Sequence, residues 1–173
     1  MAKRFTHRNL PQQLLHARDA LMGHFRPILN HYGLTEQQWR ILRALDEHAQ
    51  LEPREICALC QILSSSMAGI LARMEEIGLV QRVRVEADQR RVLVSLAPKG
   101  DALIDDMAPL IELQYRYLEQ AFGKQALESL SAALEGFIAA QAKPVQRVAL
   151  PPVASPASDG VQAPSGSRMG IVG

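Results

Sequence analysis

Residues 62–97, ILSSSMAGILARMEEIGLVQRVRVEADQRRVLVSLA, pass from a helical to an alternating hydrophobic period within one short span. Leu63, Met67, Ile70, Leu71, Met74 and Ile77 recur at the i, i+3, i+4, i+7 spacing of an amphipathic helix. Ser64 is placed to cap the start of that helix through its hydroxyl. Gly78 is placed to end it, because glycine takes a left-handed C′ conformation without strain. Val80 to Val85 and Arg91 to Leu96 then alternate as strands, and the polar, mixed-charge run Glu86-Ala87-Asp88-Gln89-Arg90 reads as the loop between them.

Upstream, Leu51-Glu52-Pro53-Arg54-Glu55 opens a short helix with Pro53 at its first position, where the missing N–H does no harm. Ile56, Leu59 and Cys60 form its inward side, and Gln61 to Leu63 make a brief turn into the helix at Ser64. Two helices, a turn between them and a basic hairpin predict a winged helix-turn-helix, the second helix suited to the major groove and the wing to the backbone or minor groove. Before this pair, Thr35 and Gln38 have capping-box spacing at the head of a helix carrying Trp39, Ile41, Leu42 and Leu45, which ends near His48.

The flanks are helical as well. Leu14, Leu15, Leu21, Met22, Phe25, Ile28 and Leu29 mark a long helix over about 10–32, which Pro27 should kink or divide and Gly33 should end. Past the hairpin, Pro98-Lys99-Gly100 starts a helix running to Phe122, bent at Pro109, and Leu127, Leu130, Leu134, Phe137 and Ile138 give a last helix reaching about Ala142. These helices carry more apolar surface than a small winged module can cover, so a homodimer interface is their natural use. The expected organisation is mainly α with a small β wing: a flexible basic arm at 1–9, dimerisation helices at 10–33 and 98–142, a DNA-binding region at 34–97 and a disordered tail at 143–173. In that tail Pro, Gly and Ser replace any periodicity.

Composition narrows the function. At 173 residues, 47% hydrophobic and 21% charged, the chain is of the ordinary globular class. It has no apolar run of transmembrane length and no apolar core behind the charged N-terminus, so the cytoplasm and no membrane partner are expected. The formal net charge is only +1. Local patches nonetheless set the field a phosphate backbone feels: Lys3, Arg4, Arg8, Arg18 and Arg26 near the N-terminus, and Arg82, Arg84, Arg90 and Arg91 in the hairpin. With no nucleophile beside a base, no metal-ligand spacing and no phosphate loop, neither an enzyme nor a metal or other cofactor is expected. Cys57 and Cys60 form a lone C-x-x-C, read as two packed side chains, with a thiol-redox sensor as the alternative.

For double-stranded DNA, Ser64, Ser65 and Ser66 offer hydroxyls to phosphates and base edges, Ala68 and Gly69 let the helix approach the groove floor, and Arg73 is a further candidate contact. Few of these side chains can make a bidentate base contact, so shape readout should matter more than direct readout. Arg90 and Arg91 are the expected wing contacts to phosphate and minor groove.

Three segments together carry a family resemblance: Leu34-Thr35-Glu36-Gln37-Gln38-Trp39-Arg40-Ile41, Leu71 through Val80, and Asp88-Gln89-Arg90 leading to Val94-Ser95-Leu96. Over about residues 10–140 the chain resembles the MarR family of winged-helix repressors. Within it, Ala17-Arg18-Asp19-Ala20, Phe25-Arg26-Pro27-Ile28 and Gly69-Ile70-Leu71 are similar to the repressors of homoprotocatechuate (4-hydroxyphenylacetate) degradation operons. The resemblance implies a dimer on a pseudo-palindromic operator, with Arg73 paired to Asp88 so that the wing is fixed to the recognition helix. It also implies a small aromatic carboxylate effector held between the dimerisation helices and the winged module. Arg18, His16 and His24 on the first helix, with Trp39 and Arg40 on the second, are the candidate contacts. Ala97 departs from the pattern: many members have a threonine there, so weaker capping of the following helix is expected.

Overall fold

The computed structural model describes residues 4–85 and 88–151, with the backbone alone at 85 and 88–90. The elements are α1 (Leu10–His31), α2 (Glu36–His48), β1 (Gln50–Leu51), α3 (Pro53–Cys60), α4 (Ser64–Glu76), β2 (Val80–Val85), β3 (Asp88–Leu96), α5 (Pro98–Phe122) and α6 (Lys124–Ala139), with a 3-10 turn at Ala140–Ala142. This is the mainly helical, small-sheet architecture expected. The chain divides into two units, Met1–Ser131 and Ala132–Gly173. In the second, the end of α6 and the 3-10 turn bury no residue, and Phe137 and Ile138 are exposed. No single described helix is long and apolar enough to cross a membrane.

Several boundaries follow from the local chemistry already named. The Thr35 hydroxyl accepts from Gln38 N–H at 3.2 Å and the Gln38 side chain accepts from Thr35 N–H at 2.9 Å, so both halves of the capping box form. Pro53 is the first residue of α3, and Gly78, at φ +75°, follows the end of α4. Ala97 heads α5 without a side-chain cap, as its missing hydroxyl requires.

Other expectations give way. Ser64 lies inside α4; Leu63 is the N-cap and offers no side-chain acceptor. Leu59, Leu63 and Ile77 are exposed because they fall just off the buried stripe of their helices, where Met67, Ile70, Leu71 and Met74 face the core. Pro27 does not divide α1, which runs unbroken as one helix. Strand β3 begins at Asp88, which pairs with Val85, so Gln89 and Arg90 lie within the strand's span instead of in the loop, at an irregularity where the register jumps between Arg84↔Val92 and Val85↔Asp88. The hairpin also gains a third strand: β1 pairs antiparallel with β3 (Gln50↔Ser95, Leu51↔Val94), giving the order β1-β3-β2. A two-residue strand has too little pattern to be read from sequence. Of the tail expected at 143–173, residues 143–151 are exposed and form neither helix nor strand, and the remainder lies outside the described residues.

The main core joins α2, α3, α4 and α5 through Ile41, Leu42, Leu45, Ile56, Leu71, Met74 and Met107, sealed by Val80 and Val94 from the sheet. A second cluster, Phe25, Ile111 and Leu118, binds α1 to α5. Where the wing meets α5, the Leu79 carbonyl accepts from Ala97 N–H at 3.1 Å, and a Cβ on Gly100 would stand 2.0 Å from that carbonyl oxygen. Glycine is needed there for close approach. Gly100→Ala should therefore lower unfolding stability by about 1–3 kcal/mol through overpacking, measured by chemical denaturation; an unchanged midpoint would show that the junction yields freely.

Candidate nucleic-acid interface and effector cleft

Ser64, Ser65, Ser66, Ala68, Gly69 and Arg73 all lie on the exposed side of α4, opposite its buried stripe. With no side-chain cap at Leu63, the serine hydroxyls are not spent on the helix start, and the positive end of the helix dipole is left to an approaching anion. Arg73 reaches back along the helix: its Nη1 lies 3.7 Å from where a Gly69 Cβ would stand. The side chains of Asp88 and Arg90 fall outside the described residues, and with them the expected Arg73–Asp88 pair and the Arg90 wing contact.

Two other wing arginines are engaged within the protein. Arg82 on β2 donates through Nε (2.7 Å) and Nη2 to the Glu75 carboxylate on α4. That hydrogen bond holds the Glu75 pKa below the ordinary carboxylate value and raises that of Arg82. Arg91 on β3 donates to Glu52, a buried carboxylate at the head of α3 that is also ion-paired with Arg54 at 2.8 Å. Sequence reasoning missed Glu52, since nothing local distinguishes it from a solvated helix-start glutamate.

The five candidate effector residues do not converge on one point. Arg18 donates to Glu36 at 2.6 Å, and Arg26 donates to the same carboxylate at 2.8 Å and to Asp19. Flanked by these guanidiniums, Glu36 and Asp19 are held below their usual pKa, with hydrogen bonding from Arg26 the leading cause for both. His16 bonds Gln12 at 2.7 Å, and His24 meets Phe122 edge-on with ring centroids 6.1 Å apart. Arg40 turns toward α3, where Nη1 donates to the Cys60 carbonyl and Nε is buried without a partner.

Trp39 alone of the five lines a cleft of about 150 Å³ between α1, α2 and α5, with Leu21, Met22, Phe25, Ile104, Ala108 and Ile111 as apolar walls and Arg43, Glu112 and Tyr115 as polar groups. Arg43, which was not among the expected contacts, stands one helical turn beyond Trp39 on the same face; Arg40 is absent from this cleft and lines, with Trp39 and Arg43, a separate groove toward α3. The i, i+4 spacing could have indicated Arg43.

Cys57 is half-buried and Cys60 buried. Burial pushes the Cys60 thiol pKa up, only partly opposed by Arg40, and its Sγ donates to the Arg40 carbonyl at 3.4 Å. A thiol kept protonated is a poor nucleophile, which favours the packing role.

The comparisons with known proteins agree with this architecture. A model described as MarR family matches residues 32–91. The homoprotocatechuate degradative operon repressor of Escherichia coli is 42% identical over 133 residues, covering 77% of this chain and 90% of that protein. The HTH-type transcriptional regulator FarR of Neisseria gonorrhoeae is 38% identical over 121 residues, covering 70% of this chain and 83% of that one. The crystal structure of NadR in complex with 4-hydroxyphenylacetate aligns with a TM-score of 0.71 at 36% identity, over 79% of this chain and 97% of that chain. From its sequence relatives and its winged-helix fold together, the chain belongs to the MarR family of transcriptional regulators.

Proposed function

We propose that the protein is a dimeric, sequence-specific repressor that leaves a pseudo-palindromic operator when a small hydroxylated phenyl or pyridine carboxylate binds it, controlling an aromatic-catabolism operon. The observation that carries this reading is the cleft of Trp39, Arg43 and Tyr115, between helices proposed for dimerisation and the winged module. An aromatic acid needs an apolar slot for its ring and a cation for its carboxylate. Trp39, Phe25 and Ile111 offer the slot; its volume of about 150 Å³ is on the scale of an apolar cavity that takes one benzene ring. Arg43 offers the cation, its present partners being the exposed Asp46 and Glu47 on its own helix, at 3.5 and 3.0 Å. Glu112 and Tyr115 are suited to a ring hydroxyl. The similarity to an operon repressor of homoprotocatechuate degradation and to NadR holding 4-hydroxyphenylacetate supports the same ligand class.

In this reading residues 10–33 and 98–142 dimerise, 34–97 bind DNA, and the arm and tail are accessory. Exposed Leu10, Leu14 and Leu15 on α1 and exposed Phe122 on α5 support a covered apolar interface. The dimer sets two α4 helices one DNA turn apart, with Ser64–Ser66, Ala68, Gly69 and Arg73 toward the groove and Arg90 at the wing. Effector and operator then oppose each other by linkage: a ligand that prefers another helix spacing weakens DNA binding by the factor by which DNA weakens the ligand.

Trp39 is the single tryptophan, so its fluorescence reports occupation of the cleft. Titration with 4-hydroxyphenylacetate, homoprotocatechuate and hydroxypyridine carboxylates should quench or shift it and weaken operator binding. If none does, the effector class is wrong. Arg43→Ala should raise the effector Kd about 10- to 100-fold, the loss of a charged hydrogen bond, with operator affinity in the absence of effector nearly unchanged. Arg90→Ala should weaken DNA binding and reduce the slope of log K against log salt by about 0.9 for each lost phosphate contact, an unchanged slope speaking against that contact. Peroxide should leave operator binding intact; a loss that Cys60→Ser abolishes would favour the thiol-sensing alternative.

A further inference from the structure

Glu52 is the one charged residue among those described that is buried, at 8% exposure. A carboxylate withdrawn from water requires compensating donors. Its Oε1 accepts from Arg91 Nε at 2.7 Å and is ion-paired with Arg91 Nη2 at 2.5 Å, and its Oε2 is ion-paired with Arg54 Nε at 2.8 Å. Arg54 is largely in water, so the contact to Arg91 is the better protected of the two. Glu52 itself is anchored: its N–H donates to the Glu55 carboxylate at 2.7 Å, and it directly follows β1.

The position of this pair along the sheet gives it a mechanical role. Strand β1 fastens β3 to the body of the protein at only two positions, Ser95 and Val94. Among the described residues, no strand lies beside that edge of β3 from Leu93 toward the wing tip. Arg91, three residues nearer the tip than Val94, is where a side chain continues the attachment. On the opposite edge β2 is tied to α4 by Arg82 and Glu75.

We propose that Arg91 is a positioning residue for the wing, held by Glu52, and not a phosphate contact. This rests on the DNA-binding reading above. The two roles predict opposite effects of neutralising Glu52. If Arg91 were a DNA contact restrained by Glu52, Glu52→Gln would free it, and removing a negative charge near the duplex would add to the gain. If the pair positions the wing, Glu52→Gln weakens binding although the protein becomes more positive.

The experiment uses the full chain and a duplex selected by the wild-type protein from a random-sequence library. Glu52→Gln and Arg91→Gln should each weaken binding about 3- to 10-fold, and the double variant should be no worse than either, as coupled partners behave. The salt slope of Glu52→Gln should match wild type. Amide hydrogen exchange without DNA should quicken at Arg91–Leu93 in both single variants while Ile41 and Leu42 keep their protection, which separates a loosened wing from a failing fold. Tighter binding with a steeper salt slope in Glu52→Gln, or unchanged exchange at Arg91–Leu93, overturns the proposal. A wild-type chain that selects no duplex overturns the proposed function instead, and the exchange measurement still decides whether the clamp exists.

Discussion

The close contact between Gly100 and the Leu79 carbonyl is the constraint on which the arrangement of the first unit depends. Leu79 N–H donates to Met74 O at 2.8 Å at the end of α4, while its carbonyl accepts from Ala97 N–H where β3 passes into α5. Lys99 adds a bond from Nζ to the Ile77 carbonyl at 2.9 Å, satisfying a group left over at the end of α4. One residue thus joins the recognition helix, the wing and a long helix of the proposed interface. A backbone junction this tight leaves no room for a side chain between the two segments, as close-packed interiors have few voids.

Arginine pairing tempers the charge argument. Glu36 takes Arg18 and Arg26, Glu75 takes Arg82, and Glu52 takes Arg91 and Arg54. Arg18, Arg26, Arg82 and Arg91 are four of the nine cations that make the N-terminal and wing regions look basic in the sequence. A guanidinium already on a carboxylate contributes less to the field at a phosphate than a free one. What the pairs provide is position: α1 on α2, β2 on α4, and β3 on the start of α3. Exposed ion pairs stabilise little, so their value lies in geometry.

The same distinction separates what was legible in the candidate site from what was not. The hydroxyl-bearing, small-residue side of α4 could be read because helical spacing alone decides which residues face away from Met67, Ile70, Leu71 and Met74. The lining of the cleft could not. Arg18, Arg40 and Trp39 have suitable chemistry, but Arg18 is drawn to Glu36 and Arg40 to the Cys60 carbonyl. Arg43 is placed beside Trp39 by helical spacing within α2, but only the folded chain brings Tyr115 of α5 to them.

By itself the sequence determined the helices, most of their ends and the hairpin: the Thr35–Gln38 box, Pro53, Gly78 and the switch of hydrophobic period after it all act within a few residues. It also carried the family, because the three motif segments lie in those same elements. The tertiary structure alone decided that Gln50 and Leu51 add a third strand, that Glu52 receives Arg91 from the wing, and that Tyr115 of α5 meets Trp39 and Arg43 at the cleft. Each of these turns on partners far apart in the chain, where the geometry of packing, not local propensity, selects among contacts of similar chemistry.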